Sequence, residues 1–356
     1  MPAVIFTTSP SFKMVLSCKN LVTFTCQIKI FFQRHLWSQC HFIVLLNMKF
    51  FDLFKNSINQ QLNVFEGHSI VIKREDLIHP IVSGNKIRKL NYVFQDIKEK
   101  NILCVLTFGG AFSNHLAATS TAGKILNVKT IGIIRGEEWQ TKISQSQTLV
   151  FCKNEGMELY CVSREEYRSK EFGNIVREIV TKNSKIRIIP EGGTEPLAIK
   201  GCEEILQKED INFDVVCSSV GTGGTLSGLI NSVAHHQKVI GFNALKNPKI
   251  NLIVSNFTKQ QNWFINPDYT FGGYAKVTDR LIAFMNQFYQ QYEIPLDPIY
   301  TGKMLFGIFD LIKQKKWIWG KKILVIHTGG LQGVAGMNFQ LQKKGKVPLE
   351  YGNFYF

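Results

Sequence analysis

No two cysteines in this chain stand at CxxC spacing, no zinc-finger spacing occurs, and no apolar run approaches the length that crosses a bilayer. The first 47 residues contain no acidic residue at all. Each absence removes a class of protein. Without metal-ligand or redox spacing, the eight cysteines read as reduced thiols of a cytoplasmic protein, several inside apolar runs such as NILCVLTF and DVVCSSVG, and no metal site is expected. Without a membrane span, no membrane partner is expected. No basic helix carries heptads, so the net charge of +15 does not imply nucleic acid. It equally suits small anionic substrates and phosphorylated cofactors. The acid-free start has no apolar core followed by a small-residue cleavage site, which argues against a secretory signal, and it lacks the Arg- and Ser-rich pattern of a transit peptide. Met48 is therefore the expected working start, with residues 1–47 a leader lacking order and function.

What is present is a chain of 356 residues, 45% hydrophobic and 19% charged, long enough for two sub-domains around one cleft. From Met48 onward, strand-like and helix-like segments alternate. SIVIKRED reads as a strand and NKIRKLNYVFQDIKEKN as an amphipathic helix; ILCVLTF, VKTIGIIRG, MELYCVS, IRIIP, FDVVCSSV and KILVIHT are further strands, with helical patterns between them. Strands apolar on both faces, separated by helices, predict parallel sheets covered on both sides, an α/β fold. Such sheets bind ligands at the carboxyl ends of their strands, so the Gly-rich turns there should line one cleft.

Four turns and a further pair near the C-terminus carry candidate chemistry. SGNKIRKL places Ser83, Gly84, Asn85 and Lys86 at a helix start, where the helix dipole disfavours an ammonium and would help make a reactive amine; a solvated surface lysine is the plain alternative. TFGGAFSNHLAA gathers Gly109, Gly110, Ser113, Asn114 and His115, donors suited to a carboxylate, or simply a capped helix with a bystander histidine. IPEGGTEP carries Gly192, Gly193 and Thr194. SSVGTGGTLSGL, with Gly221, Thr222, Gly223, Gly224 and Thr225, can turn backbone amides toward a phosphate, although it lacks the P-loop ending and the GxGxxG spacing. DPIYTGKM and IHTGGLQG supply Tyr300, Thr301 and Thr328, a ring that can stack and hydroxyls that can meet a pyridine nitrogen.

In this order, IKREDL, SGNKIRKL, the Ser-Asn-His loop, PEGGT, VGTGGT, GGYAKVTD, LDPIYTGKM and HTGG resemble the fold-type II pyridoxal-5′-phosphate (PLP) enzymes. Within them the match is to the 1-aminocyclopropane-1-carboxylate (ACC) deaminase / D-cysteine desulfhydrase family. The resemblance implies a tryptophan synthase β-like fold of two domains: residues 48–89 with 197–356 as the large one, and 90–196 inserted as the smaller. It implies PLP on Lys86 as a Schiff base, and the phosphate on Gly221–Thr225. Ser113, Asn114 and His115 would take the substrate carboxylate, with Asn114 near the ring hydroxyl. Tyr300 would stack beside the ring, Tyr274 would line the substrate site, and the protein would be a homodimer.

Two positions discriminate within the family. ACC deaminases have Glu where this chain has Thr301 and Leu where it has Thr328, and the two threonines match D-cysteine desulfhydrase instead. A hydroxyl assists the ring nitrogen less than a carboxylate does. β-Elimination of a good leaving group such as thiolate needs less help than opening a cyclopropane. The expectation is therefore a lyase releasing pyruvate, sulfide and ammonia from D-cysteine. ACC deamination and a PLP-binding protein without turnover stand as alternatives.

Overall fold

The computed structural model describes residues 5–7, 13–15, 57–79 and 84–352. Two units are distinguished, Met1–Asp52 and Leu53–Phe356. In the first, β1 (Ile5–Thr7) pairs antiparallel with β2 (Lys13–Val15). The rest of the expected leader, and Ser83, lie outside the described residues.

The second unit begins with β3 (Asn59–Gln61), β4 (Ser69–Lys73), α1 (Asn85–Glu99), β5 (Cys104–Gly109), α2 (Asn114–Leu126) and β6 (Lys129–Arg135). It continues through α3 (Gln147–Asn154), β7 (Glu158–Val162), α4 (Arg164–Ser169), α5 (Asn174–Lys182), β8 (Ile186–Ile189), α6 (Pro196–Glu203) and β9 (Val215–Val220). It ends with α7 (Gly224–Ser232), β10 (Lys238–Asn243), α8 (Ile250–Ser255), β11 (Trp263–Asn266), α9 (Asp279–Tyr292), α10 (Thr301–Lys313), β12 (Lys322–Ile326) and α11 (Gly333–Lys343). The strands form two sheets, ordered β11-β10-β9-β12-β4-β3 and β7-β6-β5-β8. All pairings are parallel except β3 with β4. The smaller sheet draws its strands wholly from residues 104–189.

Side-chain alternation along each strand explains why both faces of the larger sheet are covered. Ile70, Ile72, Val215, Cys217, Ile323 and Val325 point to one face, where they meet Leu281, Met285, Met304 and Ile308 of α9 and α10. Their neighbours Val71, Val216, Leu324 and Ile326 point to the other, against Cys202, Leu226, Leu229 and Val254 of α6, α7 and α8. In the smaller sheet, Leu106, Phe108 and Ile133 pack on Val176 and Ile179 of α5. Ile134 joins Leu116 and Leu149 on the opposite side. β10 and β11 come from a stretch that the apolar pattern left unassigned. Gly241 breaks the apolar run of β10, and β11 has only four residues.

α1 is pinned at its first turn. Arg88 donates from Nε and Nη2 to the two carboxylate oxygens of Glu75, at 2.8 and 2.9 Å, and the Ser57 hydroxyl adds 2.6 Å to Oε1. Glu75 and Arg88 are both buried, so removing either partner would strand a charge, at a cost of about 3–5 kcal/mol. Gly84 precedes the helix at φ +63°, and a Cβ there would lie 1.9 Å from the Thr328 carbonyl oxygen. The start of α1 is thereby pressed against the turn that follows β12.

Candidate active site

The carboxyl ends of β5, β6, β8, β9 and β12, together with the start of α1, converge on a cavity of about 550 Å³. Lys86, Ser113, Asn114, His115, Gly221, Thr222, Gly223, Thr225, Tyr274, Tyr300 and Thr328 all line it. Two expected residues do not. Gly224 lies behind the wall, where a Cβ would meet Lys89 Nζ at 3.0 Å and Thr194 Oγ1 at 2.9 Å. Thr301 is fully buried, and its hydroxyl accepts from the Asp297 backbone N–H at 2.8 Å. That hydroxyl is spent within its own turn.

Lys86 Nζ reaches the Gly192 carbonyl at 3.3 Å. Its pKa falls from 10.5 to about 7, chiefly through burial and secondly through the charge of Lys89. The helix dipole expected from its position is not the main cause. Lys89, one turn further along α1, donates to the same carbonyl at 3.0 Å and to Thr194 Oγ1 at 3.3 Å, and burial depresses its amine as well. Neither lysine has a carboxylate partner among the described residues. Two buried amines without an acid form a place that an anionic ligand would complete.

The glycine turn supplies what such an anion needs. α7 starts after Gly223, at φ +90°, with no side chain capping it, so its first N–H groups lack intrahelical partners. Asn85 Nδ2 donates to Thr225 Oγ1 at 2.7 Å, and the hydroxyls of Thr194 and Thr222 meet at 2.6 Å, tying α1, the turn after β8 and the turn after β9 together. A phosphate fits this donor set. Gly221 approaches Tyr300 so closely that a Cβ would lie 3.1 Å from its ring. Tyr274 stands at the rim, 41% exposed.

In the loop after β5, Ser113 is both wall and cap: its Oγ accepts from Leu116 N at 3.4 Å. Asn114 begins α2. His115 departs from its expected part as a donor. Its Nε2 lies 2.9 Å from Thr107 Oγ1, whose own proton goes to the Ile189 carbonyl, so Nε2 must carry the hydrogen. Nδ1 is buried without a partner. Burial, followed by the charges of Lys86 and Lys89, holds the ring well below its ordinary pKa. His115 thus presents a lone pair.

Lys89, Arg135, Glu191 and Ser219 are among the lining residues that escaped the sequence. Lys89 had a signal, since i and i+3 share a helix face. Ser219 had none: its hydroxyl comes within 3.4 Å of that of Thr328 only because the end of β9 lies beside the turn after β12.

Residues 59–329 match the family described as pyridoxal-phosphate dependent enzyme. A Pyrococcus furiosus protein provisionally named 1-aminocyclopropane-1-carboxylate deaminase is 32% identical over 295 residues, covering 75% of this chain and 86% of its own. The bifunctional D-cysteine desulfhydrase/1-aminocyclopropane-1-carboxylate deaminase, mitochondrial, of Arabidopsis thaliana is 30% identical over 295 residues, covering 75% of this chain and 74% of its own. A crystal structure of an ACC deaminase homologue superposes with a TM-score of 0.70 at 27% identity, over 83% of this chain and 99% of that one.

Proposed function

The chain belongs to the pyridoxal-phosphate dependent enzyme family, whose α/β fold it shares, and from that premise we propose that it eliminates sulfide from D-cysteine, leaving pyruvate and ammonia. The observation that carries the choice is the pair of neutral hydroxyls, Ser219 and Thr328, on the cavity wall, with Thr301 turned away and holding no carboxylate toward the cavity. A site so lined offers a ring nitrogen a hydrogen bond without forcing it to carry a proton. That suffices where thiolate is the leaving group.

PLP, when bound, supplies the electron sink for charge developing at the substrate Cα. Lys86 would be its attachment point. Gly221–Thr225 and the Lys89 ammonium would hold the phosphate, and Tyr300 would pack beside the ring. Ser113 and Asn114 donate to the substrate carboxylate. The His115 lone pair, buried beneath the Gly193 turn, is no donor to that carboxylate, and the ring serves as a support for the start of α2. The freed Lys86 amine, neutral above about pH 7, takes the Cα proton. The Cβ–S bond then breaks with its electron pair on sulfur, and water converts the enamine to pyruvate and ammonia. Tyr274 closes the mouth against solvent.

All five described cysteines are free thiols, which supports a reducing compartment such as the cytoplasm. No helix of the described residues is long and apolar enough to cross a membrane. A homodimer is proposed on family likeness alone. Keto-acid release from D-cysteine, L-cysteine, D-serine and ACC tests the reading. Pyruvate from D-cysteine with no 2-oxobutanoate from ACC is expected. The converse result would make it an ACC deaminase, the activity in both relatives' names.

A further inference from the structure

From the end of α10 to the start of β12 the chain runs KQKKWIWGKK, Lys313 to Lys322, with lysines on both sides of a Trp-Ile-Trp core. Lys313, Lys315, Lys316, Lys321 and Lys322 are all exposed, and none forms an ion pair among the described residues. A helix end attracts cations, which accounts for the three lysines at the close of α10. It does not account for Lys321 and Lys322, nor for Ile318, which is 81% exposed.

The turn is firmly built. Trp317 is buried in the core, and its Nε1–H donates to the Gly320 carbonyl at 2.7 Å, closing the loop around Ile318. Gly320 has φ +141°, and a Cβ there would lie 2.4 Å from that of Asp214. The Asp214 carboxylate accepts the backbone N–H groups of Lys321 and Lys322 at 2.8 and 2.9 Å, so it holds the main chain of the turn and leaves the ammonium groups unpaired. Trp319 reaches across to Phe264 on the edge strand β11, where the rings stack with centres 5.8 Å apart, and it meets Trp317 edge-on at 4.9 Å. Phe264 is itself 45% exposed. Ile318, Trp319 and Phe264 thus present an apolar patch on a fixed support, flanked by free positive charge.

Indole rings and exposed aliphatic side chains suit the headgroup layer of a bilayer, where lysines meet lipid phosphates. The net charge of +15 adds attraction at longer range. A nucleic-acid strand would instead need open ring faces to stack on. Here Phe264 covers one face of Trp319, and Trp317 is buried. The sheet is parallel around β12, so the turn lies at the amino end of that strand and the cavity at its carboxyl end, roughly 13 Å apart along the strand.

We propose that the Lys313–Lys322 stretch docks this protein on an anionic membrane surface, with Ile318 entering the headgroup layer and the flanking lysines meeting lipid phosphates. Contact of this kind needs no spanning helix, and it leaves the cavity clear.

The test uses the full chain loaded with PLP, sedimented with vesicles of phosphatidylcholine alone or with an equal share of phosphatidylglycerol. The protein should sediment with the anionic vesicles, far less with the neutral ones, and be released by added salt. The Lys321→Gln/Lys322→Gln double variant should weaken binding roughly thirty-fold, and Ile318→Ser roughly ten- to hundred-fold. Both variants should keep the cofactor absorbance and the melting temperature, because the altered side chains are exposed. Equal sedimentation with both kinds of vesicle, or binding that neither variant weakens, would overturn the turn as an anionic-lipid contact. So would binding of poly-uridylate, lost in the lysine variant, without sedimentation by vesicles, which would make the turn a nucleic-acid contact. A dimer that Ile318→Ser dissociates, again without vesicle binding, would make it a subunit interface instead.

Discussion

Lys86 and Lys89, one turn apart on α1, direct their amines at the same oxygen, the Gly192 carbonyl, at 3.3 and 3.0 Å. Lys89 makes Lys86 harder to protonate, and burial does the same to Lys89. Lys86 is the residue that must be a free amine to work, and Lys89 is the second cause of its low pKa, after burial. Removing the neighbouring charge in Lys89→Met should move the Lys86 pKa from about 7 back toward 10.5. The acid limb of the kcat profile, measured at saturating PLP, should then shift to higher pH. Cofactor affinity should also fall, since the same substitution takes a cation from the phosphate site. An unmoved acid limb would mean that burial alone sets the Lys86 pKa.

The same depression makes the cofactor-free protein sensitive to pH. Below about pH 7 both folded and unfolded chains protonate Lys86, and the folded chain bears the full cost of burying the charge. Between about 7 and 10.5 the unfolded chain holds a proton that the folded one has released, so stability rises with pH across that window. Lys89 shifts in the same direction. Asp297, raised to about 7 by burial, acts oppositely and only below that value. The melting temperature of the apoprotein should therefore climb above about pH 7, and the slope should flatten in the Lys86→Met/Lys89→Met double variant.

The Gly-rich turns were legible because each interrupts an apolar strand and opens a helix, a contrast that composition makes visible. Their convergence follows from parallel topology. Charges were not legible. Lys89 is one basic residue among several in SGNKIRKL, and nothing local says that Gly192 will fold against it. Hydroxyl direction was hidden too. Thr301 and Thr328 look equivalent as letters, yet one serves the Asp297 backbone and the other faces the cavity. The donor expected of His115 became an acceptor through Thr107, eight residues away on β5.

That relay is open to test. Thr107→Val leaves the His115 ring without its Nε2 partner and frees the tautomer. The loss of a buried hydrogen bond should cost about 1–3 kcal/mol in denaturant melts. KM for D-cysteine should rise more than kcat falls, because the ring that supports Ser113 and Asn114 at the start of α2 is no longer held in place. An unchanged KM would remove His115 from substrate recognition.

Thr301→Glu asks whether the D-cysteine pattern can be turned toward the ACC pattern by one residue. The site is fully buried, and Asp297, already raised to about 7, adjoins it. A second carboxyl there should cost about 2–5 kcal/mol without creating ACC turnover. Thermal melting and 2-oxobutanoate release measure the two outcomes. A stable variant that deaminates ACC would show that position 301 can reach the cavity after all.

Lys303 controls the mouth from behind. Its ammonium donates to the carbonyls of Gly273 at 2.7 Å and Thr270 at 2.8 Å, clamping the loop that carries Tyr274. That loop holds Phe271, Gly272, Gly273 and Ala275 at positive φ, so it does not keep its shape by local preference alone. Burial lowers the Lys303 pKa from 10.5 to about 8, against the opposing pull of Asp297. Above about pH 8 the clamp therefore loses its charge, and its bonds to the two carbonyls weaken. KM for D-cysteine should rise in that range while the cofactor absorbance stays constant. Lys303→Met should show the raised KM at every pH, because it has no proton to lose. Lys303→Arg, charged throughout, should remove the alkaline rise if the longer side chain reaches either carbonyl. A KM that rises equally above pH 8 in Lys303→Met would assign the change to another group.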